Sequence, residues 1–428
     1  MSKRQSYYFF MRKIILSGFI TIVSFQLFFS CKKNQAQPDI TQTITLPANG
    51  NDVVQANNFF AFNFFQAALQ QDTAVSNKLI SPLSIYLALS MVYNGADNAT
   101  RDSMTNALQL AGININNLNA VCKSLISQLP LEDNEVKFSI ANSIWSNKNN
   151  FQPLNSFLDT TTAYFDATVQ SLNFDASAIT AINNWVSQHT NGKIQKIIDQ
   201  ISNADLMYLI NAIYFNGKWK NAFNVQYTKN ENFYLQDGST ALVPFMNQEI
   251  TAKMYSNSLQ TVIELPYGGG KSYSMYISMP NNTQQPISEF ARVMNENILS
   301  NAINNMDSQE VAVSLPKWEY TYQISNMRPE LSRLGMGIAF EPGADLSKMY
   351  NASQVKPYIS QAVHKTYIKV NEQGTEAAAV TAIGVTATAN PQLRIFNANR
   401  PFMYAIIEKQ TGFVLFVGIV NNPSDSGN

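Results

Sequence analysis

The sequence predicts an α+β fold, built as one domain over residues 52–423. The early part of this stretch carries apolar residues at helical spacing, whereas its later part is dominated by apolar runs of strand length. Helices that come first, followed mostly by antiparallel strands, are typical of the α+β class. No composition break, low-complexity tract or repeat divides the stretch, so we expect a single core.

Two helices are predicted near the beginning of this domain. Phe60, Phe64 and the pair Ala67–Ala68 lie on one face of the first helix. The second helix begins at Ser81–Pro82 and carries a stripe of Leu83, Leu87 and Met91. We expect both helices to bury one face.

Strands are predicted for the apolar runs in the later part of the chain. These runs are MYLINAIYFN (207–216), LQTVIELPY (259–267), YSMYISMP (273–280), VAVSLP (311–316), TYIKV (366–370), FMYAIIE (402–408) and VLFVGIV (414–420).

Composition excludes several classes of protein. The chain has 428 residues, of which 45% are apolar, and this is ample for a packed core rather than a disordered or fibrous protein. Its 29 Lys and Arg balance its 29 Asp and Glu, so no basic field is available to attract nucleic acid. Two cysteines, Cys31 and Cys122, and two histidines, His189 and His364, are too few for a disulfide framework or a zinc site. We expect no nucleic-acid partner, no metal and no other cofactor.

The N-terminus has the features of a secretion signal. Two positive charges, Arg12 and Lys13, precede an apolar run from Ile14 to Phe29 that ends at Ser30–Cys31. This run is shorter than the roughly 20 residues of a membrane-spanning helix. We interpret residues 1–31 as a signal peptide, with Cys31 as a possible lipid-attachment site and simple cleavage as the alternative. Residues 32–51 then form a flexible tether, and residues 424–428 form a C-terminal tail.

Five segments of the domain resemble, in the same order, signature segments of the serpin family of protease inhibitors. They are NKLISPLSIYLALSMVYNGADNATRDSM (77–104), INNWVSQHTNGKIQKII (182–198), LINAIYFNGKWKNAF (209–223), VHKTYIKVNEQGTEAAAVTA (363–382) and FNANRPFMYAIIEKQTGFVLFVGIVNNP (396–423). The second resembles the family's helix in front of the main sheet. The resemblance implies a serpin fold of three β-sheets with eight or nine helices and an exposed reactive-centre loop.

The segment at the loop position, EQGTEAAAVTAIGVTATANP (372–391), can form a strand. Its first 19 residues contain no Pro, Lys, Arg or aromatic residue. With a period of two, one face carries Thr375, Ala377, Ala379, Thr381, Ile383 and Val385, all uncharged and mostly small. Such a segment can enter a sheet between two strands without overpacking the core.

The resemblance implies suicide inhibition of serine, and also cysteine, endopeptidases. A target protease cleaves the loop, and the acylated loop then inserts into the main sheet and distorts the protease. The family's hinge pattern is matched by Glu372, Gly374, Thr375, Ala377, Ala378, Ala379 and Thr381. Family spacing places the reactive bond between Thr388 and Ala389, within one or two residues.

The residues near that bond favour proteases with small or apolar primary pockets. Thr388 has Ala387 and Val385 close by, which suits elastase-like or subtilisin-like enzymes. Trypsin-like enzymes are disfavoured because their acidic pocket requires Arg or Lys.

Further residues are assigned by resemblance to the control of sheet opening. Ser81 and Ser84 begin the helix beneath the point where the sheet parts, and Asn211 and His364 match a polar pair that bridges neighbouring strands there. At the point of loop insertion, Glu372 matches a carboxylate that pairs with a lysine, here Lys317, and Trp219 is expected to pack beneath. We interpret the Glu372–Lys317 contact as a surface pair that sets register.

Two alternatives belong to other classes. A hydrolase needs a base for its nucleophile, but His364 is assigned to the sheet, His189 resembles a surface residue, and no GxSxG or HExxH string occurs. We therefore expect no enzyme. A non-inhibitory serpin acting as a binding module is the second alternative, although such members typically lose the small hinge residues.

The expected protein is a secreted monomer, anchored to a bacterial envelope only through its lipid, with proteases as partners.

Overall fold

The computed structural model describes residues 43–149, 152–350, 356–375 and 393–427. Several predictions lie outside these described residues. They concern the signal peptide with Cys31, most of the tether, the hinge residues Ala377, Ala378, Ala379 and Thr381, and the reactive bond Thr388–Ala389.

Nine α-helices occur among the described residues. They are α1 (Gly50–Gln71), α2 (Pro82–Gly95), α3 (Asn98–Ala107), α4 (Ile115–Gln128), α5 (Asn155–Phe165), α6 (Ala176–His189), α7 (Ile287–Val293), α8 (Glu296–Asn304) and α9 (Arg328–Arg333). The two helices expected from the apolar stripes are α1 and α2. Phe60 and Phe64 of α1, and Leu83 and Leu87 of α2, are fully buried.

Local chemistry explains where α2 and α6 begin and end. Ser81 caps α2, since its Oγ accepts a hydrogen bond from Ser84 N, and Pro82 suits the first turn. The helix expected within 182–198 ends earlier, at His189, because Asn191 (φ 50°) and Gly192 (φ 75°) adopt left-handed backbone conformations.

Fifteen strands complete the described part of the chain. They are β1 (Lys78–Ile80), β2 (Val136–Asn147), β3 (Thr168–Leu172), β4 (Met207–Lys218), β5 (Lys229–Tyr234), β6 (Thr240–Ser256), β7 (Gln260–Pro266), β8 (Tyr273–Pro280), β9 (Asp307–Pro316), β10 (Trp318–Ile324), β11 (Gln361–Asn371), β12 (Gly374–Thr375), β13 (Arg394–Asn397), β14 (Phe402–Glu408) and β15 (Val414–Val420). Each predicted run lies in β4, β7, β8, β9, β11, β14 or β15.

The strands form two hydrogen-bonded sets. A six-stranded sheet has the order β10-β11-β12-β4-β2-β3, and a nine-stranded set has the order β1-β15-β14-β8-β7-β6-β9-β13, with β5 paired to β6. The expected three sheets become two sets because β6, with 17 residues, pairs with β5 and β9 along most of its length and with β7 at its end. One long strand thus joins two sheets.

The main core lies against one face of the six-stranded sheet, and a second apolar cluster covers the opposite face. In that second cluster, Ile182 and Val186 of α6 pack with Trp145 of β2 and with Tyr208 and Ile210 of β4. These contacts fix α6 in front of the sheet.

The segment after α6 continues across the same face. Asn183 holds it, because its Oδ1 accepts from Ile197 N (2.8 Å) and Ile198 N (3.1 Å). Gln323 of β10 then donates to Ile197 O at 3.0 Å, and Lys365 of β11 donates to Lys196 O at 2.9 Å. The segment therefore lies over both β10 and β11.

Among the residues that the structure describes, no helix combines the length and the apolar character needed to span a membrane.

Candidate functional site

The central feature of the six-stranded sheet is a gap between β11 and β4. The two strands pair in parallel only from Gln361–Tyr208 to Lys365–Ala212. Beyond that point, residues 366–369 of β11 and residues 213–216 of β4 form no pairs with each other among the described residues. The sheet is therefore closed at one end of these strands and open toward the other.

The short strand β12 lies at the open end of this gap. Gly374 pairs antiparallel with Asn371 of β11 and with Lys218 of β4. Thr375 likewise pairs with Val370 and with Gly217. The chain thus turns back after β11 and begins to enter the space between β11 and β4.

Gly374 is required by its position. Its φ is 145°, and a Cβ there would lie 2.1 Å from Gly217 O and 2.7 Å from Lys218 Cα. Any other residue would collide with the backbone of β4 in a conformation that already disfavours side chains.

Thr375 faces the core. Its side chain is buried, and its Oγ1 hydrogen-bonds with Tyr267 OH at 2.6 Å. Tyr267 in turn stacks on Trp219, with ring centroids 4.5 Å apart and an interplanar angle of 11°. The sequence pointed to Trp219 and Thr375 but missed Tyr267, which carries no distinguishing motif.

Trp219 also secures the turn that precedes β12. Its Nε1 donates to Asn371 O at 2.9 Å, and its backbone N–H donates to Gln373 O at 2.8 Å. The backbone N–H of Phe223 donates to Glu372 O at 2.8 Å. The turn is therefore held against the residues that follow β4.

Glu372 and Lys317 lie together at this turn, but they are not an ordinary surface pair. The Glu372 side chain is only 5% exposed, whereas that of Lys317 is 36% exposed, and Lys317 Nζ lies 3.1 Å from the nearer oxygen Oε2. Thr228 Oγ1 donates to the same carboxylate at 2.8 Å. Burial alone would raise the pKa of Glu372, but the backbone, Thr228 and Lys317 hydrogen bonds outweigh burial and lower that pKa.

A second polar cluster lies where β11 and β4 are still paired. His364 and Asn211 are direct partners in the parallel register, and His364 Nδ1 lies 2.8 Å from Asn211 Oδ1. Ser81 N donates to His364 Nε2 at 3.1 Å, so the ring proton must reside on Nδ1 and be donated to Asn211. Burial lowers the pKa of His364 to about 3, which keeps the ring neutral.

The amide of Asn211 extends this cluster to a third strand and to α2. Its Nδ2 donates to Asn142 Oδ1 of β2 at 2.7 Å and to Ser84 O at 2.8 Å. Ser81 Oγ donates to Leu415 O at 2.8 Å, whereas Ser84 Oγ has no hydrogen-bond partner among the described residues. Ser84 therefore contributes through its backbone. Asn142 was missed because one more asparagine in a mixed polar strand gives no signal.

The structure thus brings the predicted residues together in two clusters along β11. Glu372, Gly374, Thr375, Trp219 and Lys317 meet at the mouth of the gap. Ser81, Ser84, Asn211 and His364 meet where the gap closes. Asn371 lies seven positions after His364 in β11, or about 23 Å away at the usual rise of a strand.

The neutral, buried His364 predicts a specific dependence of stability on pH. Its pKa is lower in the folded state than in the unfolded state, so its contribution is present above the unfolded pKa of about 6.5 and is lost as pH falls toward 3. Relative to His364→Gln, the parent protein should lose about 2 kcal/mol of unfolding free energy between pH 7 and pH 5, measured by urea denaturation.

The matched control is His189→Gln, because His189 is exposed at the end of α6. This control should keep the parent pH profile. A profile for His364→Gln that runs parallel to that of the parent would contradict the assignment of a neutral ring.

Comparison with known proteins agrees with this geometry. The family described as Serpin (serine protease inhibitor) matches residues 55–423. A serpin-like protein of Methanosarcina mazei is 32% identical over 93% of this chain and 95% of its own length. The leukocyte elastase inhibitor of Bos taurus is 33% identical over 86% of this chain and 98% of its own length.

Solved structures lead to the same family. The native-state crystal structure of tengpin, a thermophilic serpin, superposes with a TM-score of 0.80 at 35% identity, covering 86% of this chain and 94% of tengpin. Together with the gap between β11 and β4, these matches establish that the chain belongs to the serpin family.

Proposed function

We propose that this serpin is a suicide inhibitor of serine, and also cysteine, endopeptidases. The observation that carries the proposal is the position of β12, whose two residues already pair with both β11 and β4 at the head of the open gap. Residues 376–392 follow β12 directly. A cut within that stretch frees its N-terminal part to continue in the direction that β12 has begun.

The register supports complete insertion. Because β12 is antiparallel to both neighbours, each further residue of the loop would pair with the preceding residue of β4 and with the preceding residue of β11. Continued from Thr375, this register sets position 380 opposite both Ala212 and Lys365, which are already partners of each other. The inserted strand therefore meets matching positions on both neighbours, so the two strands must move apart but neither must slide along its axis.

The residues that would face the inserted strand suit its small side chains. Thr375 faces the core, so alternation directs Ala377 toward Phe215 and Ile368, which are both buried. Thr381 would stand opposite Asn211 and His364 and would offer a hydroxyl to the polar pair it separates. Separation of Asn211 and His364 therefore does not leave their polar atoms unsatisfied.

The free energy available is sufficient to drive the step. Insertion as far as Tyr208 and Gln361 adds about nine residues to the sheet, and a ladder bond is worth about 1 kcal/mol net. After subtraction of the β11–β4 ladder bonds that insertion breaks, the new bonds on both sides of the strand still amount to about 10 kcal/mol, comparable to the whole stability of an ordinary domain. The uncleaved protein is then trapped above its lowest free energy.

The covalent step uses the protease's own chemistry. The nucleophilic oxygen or sulfur of the protease attacks the carbonyl carbon of Thr388, the bond to Ala389 breaks, and the amine of Ala389 takes the proton. The acyl group then links the protease to a loop that inserts before water can release it. A small residue at Thr388 suits elastase-like and subtilisin-like pockets, and the similarity to an elastase inhibitor agrees with this choice.

The proposal predicts opposite effects for two neighbouring loop substitutions. Ala377→Arg would force a charge between Phe215 and Ile368 in the core and should prevent insertion. Ala378→Arg directs the same side chain to the other face, between Tyr214 and the partly exposed Tyr367. With an elastase-type or subtilisin-type protease, the parent and Ala378→Arg should form a complex that survives denaturing electrophoresis, whereas Ala377→Arg should yield only cleaved loop.

Equal complex formation by the two variants would contradict loop insertion. Cleavage of the parent without any stable complex would instead favour the alternative, a non-inhibitory serpin that acts as a binding module.

We further propose that the protein is secreted and is attached to a bacterial envelope by a lipid on Cys31. The short apolar run that ends at this cysteine, and the polar tether behind it, support this proposal. A single acyl chain binds a membrane only reversibly, so stable attachment requires more than one chain.

This proposal is tested by Cys31→Ser expressed in a bacterial host. The parent should partition with the membrane fraction, and Cys31→Ser should move to the soluble fraction. A parent that is soluble, like Cys31→Ser, would contradict the lipid anchor and leave simple cleavage as the explanation for the signal.

A further inference from the structure

Two carboxylic acids lie buried close to the mouth of the gap. Glu132 precedes β2 and Glu408 ends β14, and the side chains of both are 0% exposed. Among the ion pairs of the described residues, none includes either carboxyl group. Two buried negative charges without a cation would be costly, so such a pair favours retention of a proton.

The hydrogen bonds of the two groups are unequal. The carboxylate of Glu408 accepts from Gln410 N at 2.5 Å, from Thr411 N at 2.9 Å and from the Thr411 hydroxyl. Glu132 accepts from Gln410 Nε2 at 3.1 Å through Oε1, while its Oε2 has no partner among the described residues. Hydrogen-bond donors therefore surround the Glu408 carboxyl group, whereas one oxygen of Glu132 has none among the described residues.

The cation next to Glu408 in the sequence, Lys409, is paired with another acid. Lys409 Nζ lies 2.6 Å from Glu264 Oε1 and donates to Gly270 O at 3.1 Å. Burial first, and then the neighbouring Glu408 carboxylate, raise the pKa of Glu132 to about 8. The other charged or titratable groups around the two acids are Asp133, Glu264, Tyr273, Tyr276 and Lys409.

The same segments support the turn that carries Tyr267. Asp133 Oδ2, next to Glu132, accepts from Gly269 N at 3.1 Å. Lys409 N, next to Glu408, donates to Ser272 O at 2.7 Å. The turn from Tyr267 to Tyr273 is thus held from both sides by the residues adjacent to the two acids, and Tyr267 in turn contacts Thr375 of β12.

We propose that Glu132 and Glu408 hold a single proton between them and that this shared proton makes the support of the Tyr267 turn, and so the mouth of the gap, dependent on pH. With the proton present, the two acid-bearing segments lie together beneath the turn. Loss of the proton leaves two buried negative charges that repel each other, so the segments separate and the turn loosens. The proposal concerns the uncleaved molecule and does not depend on protease inhibition.

The sign of the pH effect follows from linkage. Because the pKa of Glu132 is higher in the folded state than in the unfolded state, its contribution to stability is complete below the unfolded pKa of about 4.5 and is lost as pH rises to about 8. Glu132→Gln keeps the shape and is permanently neutral. From pH 5 to pH 8, the unfolding equilibrium constant of the parent should rise relative to that of Glu132→Gln on the order of a hundredfold.

Two further variants complete this urea-denaturation experiment. Glu408→Gln removes the neighbouring carboxylate and should reduce the same pH dependence, with burial of Glu132 still contributing, so it carries the test if Glu132→Gln does not fold. Glu341→Gln, at an exposed carboxylate paired with Arg328, is the matched control and should keep the parent profile. A parent-like profile in both Glu132→Gln and Glu408→Gln would overturn the shared proton.

Hydrogen exchange tests the connection to the mouth of the gap. After correction for intrinsic rates, the amides of residues 268–272 should lose protection several-fold between pH 6 and pH 8.5 in the parent and should keep it in Glu132→Gln. Equal protection of this turn at both pH values in the parent would overturn the link to Tyr267, even if global stability followed the predicted profile.

Discussion

The hydrogen bond between His364 and Asn211 is the constraint on which the rest of this structure depends. It lies at the point where β11 and β4 are still paired, fully buried and tied to α2 through Ser81 and Ser84. Toward Gln361 the two strands remain paired, and toward Asn371 they diverge around β12. A sheet that the His364–Asn211 pair holds closed at one end and that is open at the other has the geometry that the proposed insertion of one more strand requires.

The sequence was sufficient to predict most of this arrangement, and the failures have physical causes. Apolar runs such as those of β8, β14 and β15 coincide with their strands because strands buried on both faces are continuously apolar. No runs were predicted for β2, β6 and β10, because polar residues interrupt their apolar positions. The residue pairs of the two clusters were found only through resemblance, since spacing along the chain cannot reveal a contact between residues 153 positions apart.

The resemblance to the family did not identify the residues that support the two clusters. Asn142 hydrogen-bonds to Asn211 where the gap closes, and Tyr267 hydrogen-bonds to Thr375 at the mouth of the gap. The near-complete burial of Glu372 likewise depends on how Thr228 and Lys317 fold over it.

The two proton-sensitive groups act in opposite directions on stability: acid weakens the contribution of His364, and alkali weakens that of Glu132. Together, these two groups therefore favour the folded molecule over the unfolded one most strongly at intermediate pH.

The central claim is that the uncleaved molecule is trapped above its lowest free energy. Its most direct test is the thermal midpoint of the purified protein before and after a single cut near Thr388, with the cut verified by mass spectrometry. Insertion worth about 10 kcal/mol should raise the midpoint by roughly 10–15 °C in a domain of this size. A completely nicked protein that melts at the same temperature as the intact one would contradict the account.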